Sequence, residues 1–198
     1  MKIYDISQEV FSCEVYPDDP NPHKDTLRSI DMGDLYNLTA FSMCAHNGTH
    51  IDAPYHFIKN GKTVDDIPLS KTVGFAYVTA EEGNIDADRA RKILDKAKSI
   101  DKNASKKILI KGSISLLDDG AKVFSSEKID LLGVESQSAG DGDNTVSVHL
   151  ELLKSEVVIL EGIKLNEVKE GVYFLCSAPL LLAGSDGSPC RALLVEFD

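Results

Sequence analysis

The sequence predicts a mixed α/β fold in a single domain, and three observations carry this prediction. Segments with strand-like and helix-like patterns alternate along the chain. The length of 198 residues fits one domain, because a chain of this size buries roughly 70% of its unfolded surface. No linker, internal repeat or low-complexity tract divides the chain. We therefore expect residues 1–198 to form one domain.

Composition and charge narrow the class of protein. The hydrophobic content of 42% and the charged content of 27% are typical of globular proteins. The net charge of −11 argues against a nucleic-acid partner, which would require a dense basic patch. No run approaches the ~18 apolar residues that span a bilayer, and the first residues lack a signal-peptide pattern. With four scattered cysteines, we expect a cytoplasmic protein without a membrane partner.

The N-terminal half predicts a loop followed by strands. Residues 16–25 contain three prolines, so we expect a loop without a regular element there. Residues 35–45 predict a strand that runs into a cluster of histidines. Residues 74–80 and 106–112 are rich in β-branched or aromatic side chains, which favour strands.

Helices and strands alternate through the rest of the chain. Residues 86–99 begin with an aspartate and place Ala90, Ile93, Leu94 and Ala97 at helical spacing, which predicts an amphipathic helix. The later elements are predicted as a helix at about 115–126, a strand at 130–136, a helix at 149–155, a strand at 156–162 and a strand at 191–197.

The stretch HNGTHIDAPYHF, residues 46–57, contains three of the five histidines. A glycine and a proline within it argue against a helix. On extended backbone His50 and Asp52 would share one face, and Gly48 can supply the bend that returns His46 to the same point. Two imidazoles and one carboxylate suit zinc or manganese. Three protein ligands leave a position open for water, as in catalytic sites.

Two distant residues extend this candidate site. His149 lies at the predicted start of a helix, and Glu161 ends an apolar run. A carboxylate in that position needs a metal ion, an arginine or solvent as a partner. From the residues alone, solvent stays an alternative for Glu161, and the sequence predicts a metal site and a hydrolase.

Residues 46–57 also resemble the H-x-G-T-H-x-D-x-P-x-H signature of the cyclase-like metal-dependent hydrolases, which include bacterial kynurenine formamidase and the isatin hydrolases. The resemblance extends over most of the chain, through the segments YDIS, YPDD, LLGVES, VVILEGIKL and PLLLAGSDGSPCRALLVEF. It implies a swivelling β/β/α fold and a homodimer or homotetramer.

The resemblance also implies a role for each site residue. It assigns His46, His50 and Asp52 to a first divalent ion. It makes Asp52 a bridge to a second ion that His149 also holds, with Glu161 touching both ions. Two Zn²⁺ per subunit are expected, with Mn²⁺ as an alternative. His56 would be the catalytic acid/base, because an imidazole titrates near neutral pH.

The implied reaction is hydrolysis of a small, non-peptide amide by metal-activated water, as in an arylformamidase. Tyr16 occupies the position where the formamidases present a tryptophan to an aryl substrate, and this chain has no tryptophan. That departure leaves two alternatives open: a cyclic-amide hydrolase of the isatin type, and a metal-binding homologue without catalysis.

The segment GSDGSP, residues 184–189, has two interpretations from sequence. Asp-Gly is a common turn pair, so the segment is either a tight turn or a loop that shapes the site. Arg191 follows it, and we expect a structural ion pair there rather than a contact with a substrate carboxylate.

Overall fold

A nine-stranded mixed sheet with helices packed on it confirms the predicted α/β class. The computed structural model describes residues 1–197. The strands, in chain order, are β1 (Lys2–Asp5), β2 (His23–Arg28), β3 (Leu38–Ser42), β4 (His50–Asp52), β5 (Val73–Ala80), β6 (Gly83–Ile85), β7 (Lys107–Lys111), β8 (Ile114–Leu116), β9 (Leu131–Val134), β10 (Val158–Glu161), β11 (Gly171–Cys176), β12 (Gly187–Pro189) and β13 (Leu193–Glu196).

The large sheet has the order β1-β13-β11-β5-β7-β9-β10-β4-β12, and two small sheets pair β2 with β3 and β6 with β8. The four central strands β5, β7, β9 and β10 are parallel neighbours. The strands on either side of them are antiparallel. Parallel strands are buried on both faces and therefore read as nearly continuous apolar runs, which is why these four were visible in the sequence.

The α-helices are α1 (Leu69–Thr72), α2 (Ala87–Ile100), α3 (Asp118–Ser126) and α4 (Thr145–Lys154). The helix predicted at 86–99 is confirmed as α2. Asp86 caps it by accepting a hydrogen bond from the Arg89 N–H at 2.9 Å, which satisfies one of the free amides of the first turn. The predicted apolar side chains are the ones that α2 buries, namely Ala90, Ile93, Leu94 and Ala97. Within residues 1–197, no helix combines the length and the apolar character needed to cross a bilayer.

Apolar side chains fill both faces of the sheet. Helices α2, α3 and α4 pack on one face, and irregular segments cover the other. In β10, Ile159 belongs to the cluster beneath the helices, whereas Leu160 belongs to the opposite cluster. Because side chains alternate along a strand, Glu161 projects on the same face as Ile159. This face is the one from which α4 contributes His149.

The boundaries of two predicted helices are wrong. The helix predicted at 115–126 begins at Asp118, because Ile114–Leu116 forms β8 beside β6. The helix predicted at 149–155 begins at Thr145, so His149 lies inside α4 rather than at its start.

Two other predicted segments also need correction. The loop predicted at 16–25 contains the first residues of β2, because its last proline, Pro22, precedes His23 and leaves the following backbone free to pair. The strand predicted at 35–45 is limited to Leu38–Ser42, so a turn separates it from the histidine cluster.

Candidate metal centre and active site

The pairing of β4 with β10 brings the histidine segment to Glu161. In this antiparallel pair His50 lies opposite Glu161, and Asp52 lies opposite Ile159. Ile51 belongs to the apolar cluster on the other face, so His50 and Asp52 share the face of Glu161. The extended backbone that the sequence predicted for His50 and Asp52 is therefore confirmed.

Gly48 forms the turn between His46 and β4. Its φ of +63° is a left-handed conformation that glycine adopts without strain. A Cβ at this position would lie 2.8 Å from the Cβ of Cys13, so a side chain would also clash. Thr49 donates from Oγ1 to the Gly162 carbonyl at 2.7 Å and ties the turn to the end of β10. The bend predicted at Gly48 is present.

Two imidazoles face the same pair of carboxylates. His50 donates from Nδ1 to the Gly48 carbonyl at 3.0 Å, and its Nε2 lies 3.4 Å from Asp52 Oδ1 and 3.2 Å from Glu161 Oε2. His149 donates from Nδ1 to a carbonyl one turn earlier in α4 at 2.7 Å. Its Nε2 lies 3.2 Å from Glu161 Oε1 and 3.5 Å from Asp52 Oδ2. In both rings the backbone bond to Nδ1 leaves Nε2 directed at the carboxylates.

Asp52 is the centre of the cluster. Its side chain is 0% exposed, and Oδ2 is buried without a hydrogen-bond partner among residues 1–197. Two sets of side chains share this carboxylate, and within each set the ligand atoms lie within 4.8 Å of one another. The first set is His46, His50 and Asp52, and the second is Asp52, His149 and Glu161.

The geometry and chemistry of these donors fit a divalent ion. Four of the five nitrogen–oxygen separations in the cluster are 3.2 to 3.5 Å, longer than the roughly 2.7–2.9 Å of charge-assisted hydrogen bonds. The fifth, from His46 Nδ1 to Asp52 Oδ1, is 2.9 Å. Two ligand atoms that share a tetrahedral ion at about 2.1 Å lie about 3.4 Å apart. Imidazole and carboxylate ligands suit zinc and related ions.

The carboxylates raise the pKa values of the imidazoles they face. Burial lowers the pKa of His50, but hydrogen bonds and charge attraction from Asp52 and Glu161 outweigh it and raise that pKa well above its usual value. Burial also lowers the pKa of His149, but the hydrogen bond and the charge of Glu161 outweigh this effect and raise the pKa to about 9. The two carboxylates therefore favour the protonated form of both imidazoles.

His56 lies beside the cluster. It occupies a short 3-10 turn that follows β4, and its ring stacks on that of His46 with centroids 4.0 Å apart. Its side chain is 28% exposed. Burial lowers the pKa of His56 below its usual value, so the ring is neutral at pH 7 and able to accept a proton.

Asp186 is a site residue that sequence reasoning did not single out. It lies in the segment 184–189, for which sequence left a turn and a shaping role open, and its Oδ2 is 2.9 Å from His46 Nε2 and 3.3 Å from His56 Nδ1. The segment therefore shapes the site. The sequence gives only a weak indication that Asp186 belongs to the site, because an aspartate before a glycine is equally typical of a turn.

Two other residues named from sequence, Tyr16 and Arg191, lie outside these groups. Tyr16 is 42% exposed in the loop that precedes β2. Arg191 donates from Nε to Asp5 Oδ2 at 2.9 Å, which is the expected structural ion pair.

Comparison with known proteins shows relatives that match most of this chain. Cyclase-like protein 1 of Oryza sativa subsp. japonica is 33% identical over 187 residues, covering 85% of this chain and 68% of its own. A kynurenine formamidase of Salinibacter ruber is 30% identical over 210 residues, covering 98% of this chain and 97% of its own.

A solved structure described as a predicted metal-dependent hydrolase from Bacillus stearothermophilus superposes with a TM-score of 0.81 at 27% identity, covering 98% of this chain and 97% of its own. The family described as "Putative cyclase" matches residues 4–140, which include β4 and the His56 turn. The chain belongs to this putative cyclase family.

Proposed function

We propose that this chain is a metal-dependent hydrolase that cleaves the carbon–nitrogen bond of a small, non-peptide amide, with an arylformamidase-like activity. The observation that carries the proposal is the buried Asp52 carboxylate, which two sets of ion-binding side chains share. The end-to-end similarity to a protein named kynurenine formamidase supports the choice of an amide substrate.

We propose that the donor set holds two ions. His46, His50 and Asp52 would hold one, and Asp52, His149 and Glu161 would hold the other. Glu161 also faces His50 and would touch both ions. We propose Zn²⁺, and the same nitrogen and oxygen donors also accept Mn²⁺. When bound, such an ion lowers the pKa of water to about 7 and polarises a carbonyl oxygen.

His56 is the proposed catalytic acid/base. Its ring is neutral because burial lowers its pKa, so it can take a proton from the attacking water and return it to the departing amine. A neutral imidazole beside the cluster has no purpose in a site that only binds metal, which disfavours the non-catalytic alternative.

Tyr16 is the proposed contact for the aryl group of the substrate. Its exposed ring offers an apolar face and a hydroxyl, in place of the tryptophan of the formamidases. The homodimer or homotetramer implied by the resemblance stays a prediction.

The purified, zinc-loaded protein should release kynurenine from N-formylkynurenine with a kcat/KM of ~10⁴ M⁻¹s⁻¹ or more, and chelation should abolish the release. Absence of turnover by protein that demonstrably holds zinc would contradict the arylformamidase activity. Hydrolysis of isatin by the same preparation would then support the cyclic-amide alternative. Failure to bind any divalent ion would contradict the whole proposal.

His56→Ala should keep the metal content of the wild type and lower kcat by roughly 10²–10⁴-fold, because it removes only the proton carrier. Metal analysis after dialysis and steady-state kinetics measure the two effects separately. The matched control is His23→Ala, which removes an exposed histidine of β2 and should change neither quantity. Loss of an equivalent of metal from His56→Ala would instead identify His56 as a ligand.

Metal binding should release protons and weaken as the pH falls. An imidazole must be deprotonated to bind an ion, and the raised pKa values of His50 and His149 mean that their protons must first leave. Below the raised pKa of a ligand imidazole, about 9 for His149, the affinity should therefore fall by up to about tenfold per pH unit for each proton displaced. Calorimetric titration with Zn²⁺ in two buffers of different ionisation enthalpy counts these protons at pH 7. A count of zero would contradict the protonation assigned to the cluster.

A further inference from the structure

Asp186 joins two histidines that the proposed mechanism uses for different purposes. We propose that Asp186 is a positioning residue, which holds Nε2–H of His46 so that Nδ1 becomes the ligand atom and holds Nδ1–H of His56 so that Nε2 exchanges the proton. The second half of this inference rests on the proposed function. The first half requires only that the site binds a divalent ion.

The backbone of Asp186 is fixed to the strand that carries the ligands. Its carbonyl accepts a hydrogen bond from the Ala53 N–H at 2.9 Å. The next residue, Gly187, pairs with Asp52 across β12 and β4. On the preceding side, the Ser185 carbonyl accepts from the Val64 N–H at 2.9 Å. The side chain of Asp186 therefore starts from an anchored position rather than from a free loop.

The segment is also shaped to admit the ring of His46. A Cβ built on Gly187 would lie 2.5 Å from His46 Cε1 and 3.0 Å from His46 Nε2. Real Cβ atoms do not approach ring atoms so closely, so the absence of a side chain at Gly187 gives the imidazole its place. Asp186 thus contacts this edge of the ring through a hydrogen bond. Gly187 leaves room for the same edge because it has no side chain.

The two nitrogens of His46 have different partners. Nδ1 lies 2.9 Å from Asp52 Oδ1 in the cluster, and Nε2 lies 2.9 Å from Asp186 Oδ2. A neutral imidazole ligand has one nitrogen with a lone pair and one N–H that needs an acceptor. A carboxylate that accepts from the second nitrogen fixes the tautomer and makes the first a stronger ligand. Asp186 is placed to do both.

The same oxygen also reaches His56, at 3.3 Å from Nδ1. Asp186 Oδ2 therefore spans the two stacked rings, whose planes are 26° apart. A hydrogen bond at Nδ1 selects the tautomer of His56 in which Nε2 carries the lone pair. This is the form that a general base requires.

Asp186→Ala should lower the affinity for Zn²⁺ by about 10–100-fold, the usual effect of removing the partner of a metal-binding histidine. Asp186→Asn should lose less, because its amide oxygen still accepts the Nε2–H of His46. The matched control is Asp65→Asn, since Asp65 accepts from the Gly184 N–H of the same segment and from the Thr63 hydroxyl. Among residues 1–197 it forms no hydrogen bond with His46 or His56. Competition with a chromophoric chelator measures all three affinities without substrate.

Nitrogen NMR of the zinc-loaded protein reports the tautomer directly. The wild type and Asp186→Asn should show His46 with its proton on Nε2, and Asp186→Ala should show a mixture. Kinetics with an accepted amide should show a loss in kcat larger than the rise in KM for Asp186→Ala. Unchanged affinity and an unchanged tautomer in Asp186→Ala would overturn the proposal. Loss of a whole equivalent of zinc in both variants would also overturn it, because Asp186 would then be a ligand with His46 and His56.

These measurements separate the two proposals. Affinity and tautomer are read without turnover, so failure to find an amide substrate leaves the assignment of Asp186 to His46 intact. Conversely, an active enzyme whose Asp186→Ala variant binds zinc normally would refute the positioning role and spare the hydrolase function.

Discussion

The buried carboxylate of Asp52 is the constraint on which the rest of the site depends. Its side chain is 0% exposed, and leaving a charge in such a place costs several kcal/mol unless it is paired. Three imidazoles surround it, those of His46, His50 and His149. Their pKa values rise because the carboxylates are there. Protons and divalent ions therefore compete for one set of donors.

Most of the residues around Asp52 lie at one edge of the large sheet. The parallel strands end in β10, and β4 and β12 continue the sheet beyond it in antiparallel pairs, so that β10, β4 and β12 are neighbours at this edge. β10 contributes Glu161, β4 contributes His50 and Asp52, and the segment before β12 contributes Asp186. Helix α4 closes the set by contributing His149 from the helical layer. Four of the candidate ligands are thus held by strands or by a helix, which limits their movement, whereas His46 lies in the turn before β4.

Hydrogen bonds to carbonyls and to a carboxylate fix the orientation of the three imidazoles. His50 and His149 donate from Nδ1 to backbone carbonyls, and His46 uses a carboxylate on its outer nitrogen instead. A carboxylate polarises an imidazole more strongly than a carbonyl does. Among the three proposed histidine ligands, His46 is therefore the one whose basicity depends on a side chain, that of Asp186, which a substitution can remove.

Much of the site could be predicted because its residues are close in sequence. His46, His50, Asp52 and His56 occupy one short stretch, and alternation on extended backbone places two of them on one face. The helix α2 was also accessible, since its cap and apolar spacing are local signals.

The remaining features depend on long-range pairing or on weak local signals. Asp186 reaches His46 only because β12 pairs with β4, across 140 residues of sequence separation. Strands of three residues, such as β6 and β8, are too short to show a period. The first turn of α4 contains Thr145 and Val146, whose β-branched side chains are weak helix formers. The sequence pattern therefore placed the start of α4 too late.

The central claim is that Asp52 lies between two ion-binding sets. Anomalous diffraction from crystals of the zinc-loaded protein, recorded above and below the zinc edge, tests it most directly. The account predicts two peaks that flank the Asp52 carboxylate, one beside His46 and His50 and the other beside His149 and Glu161. A single peak held by His46, His56 and Asp186, with none at Asp52, would contradict it.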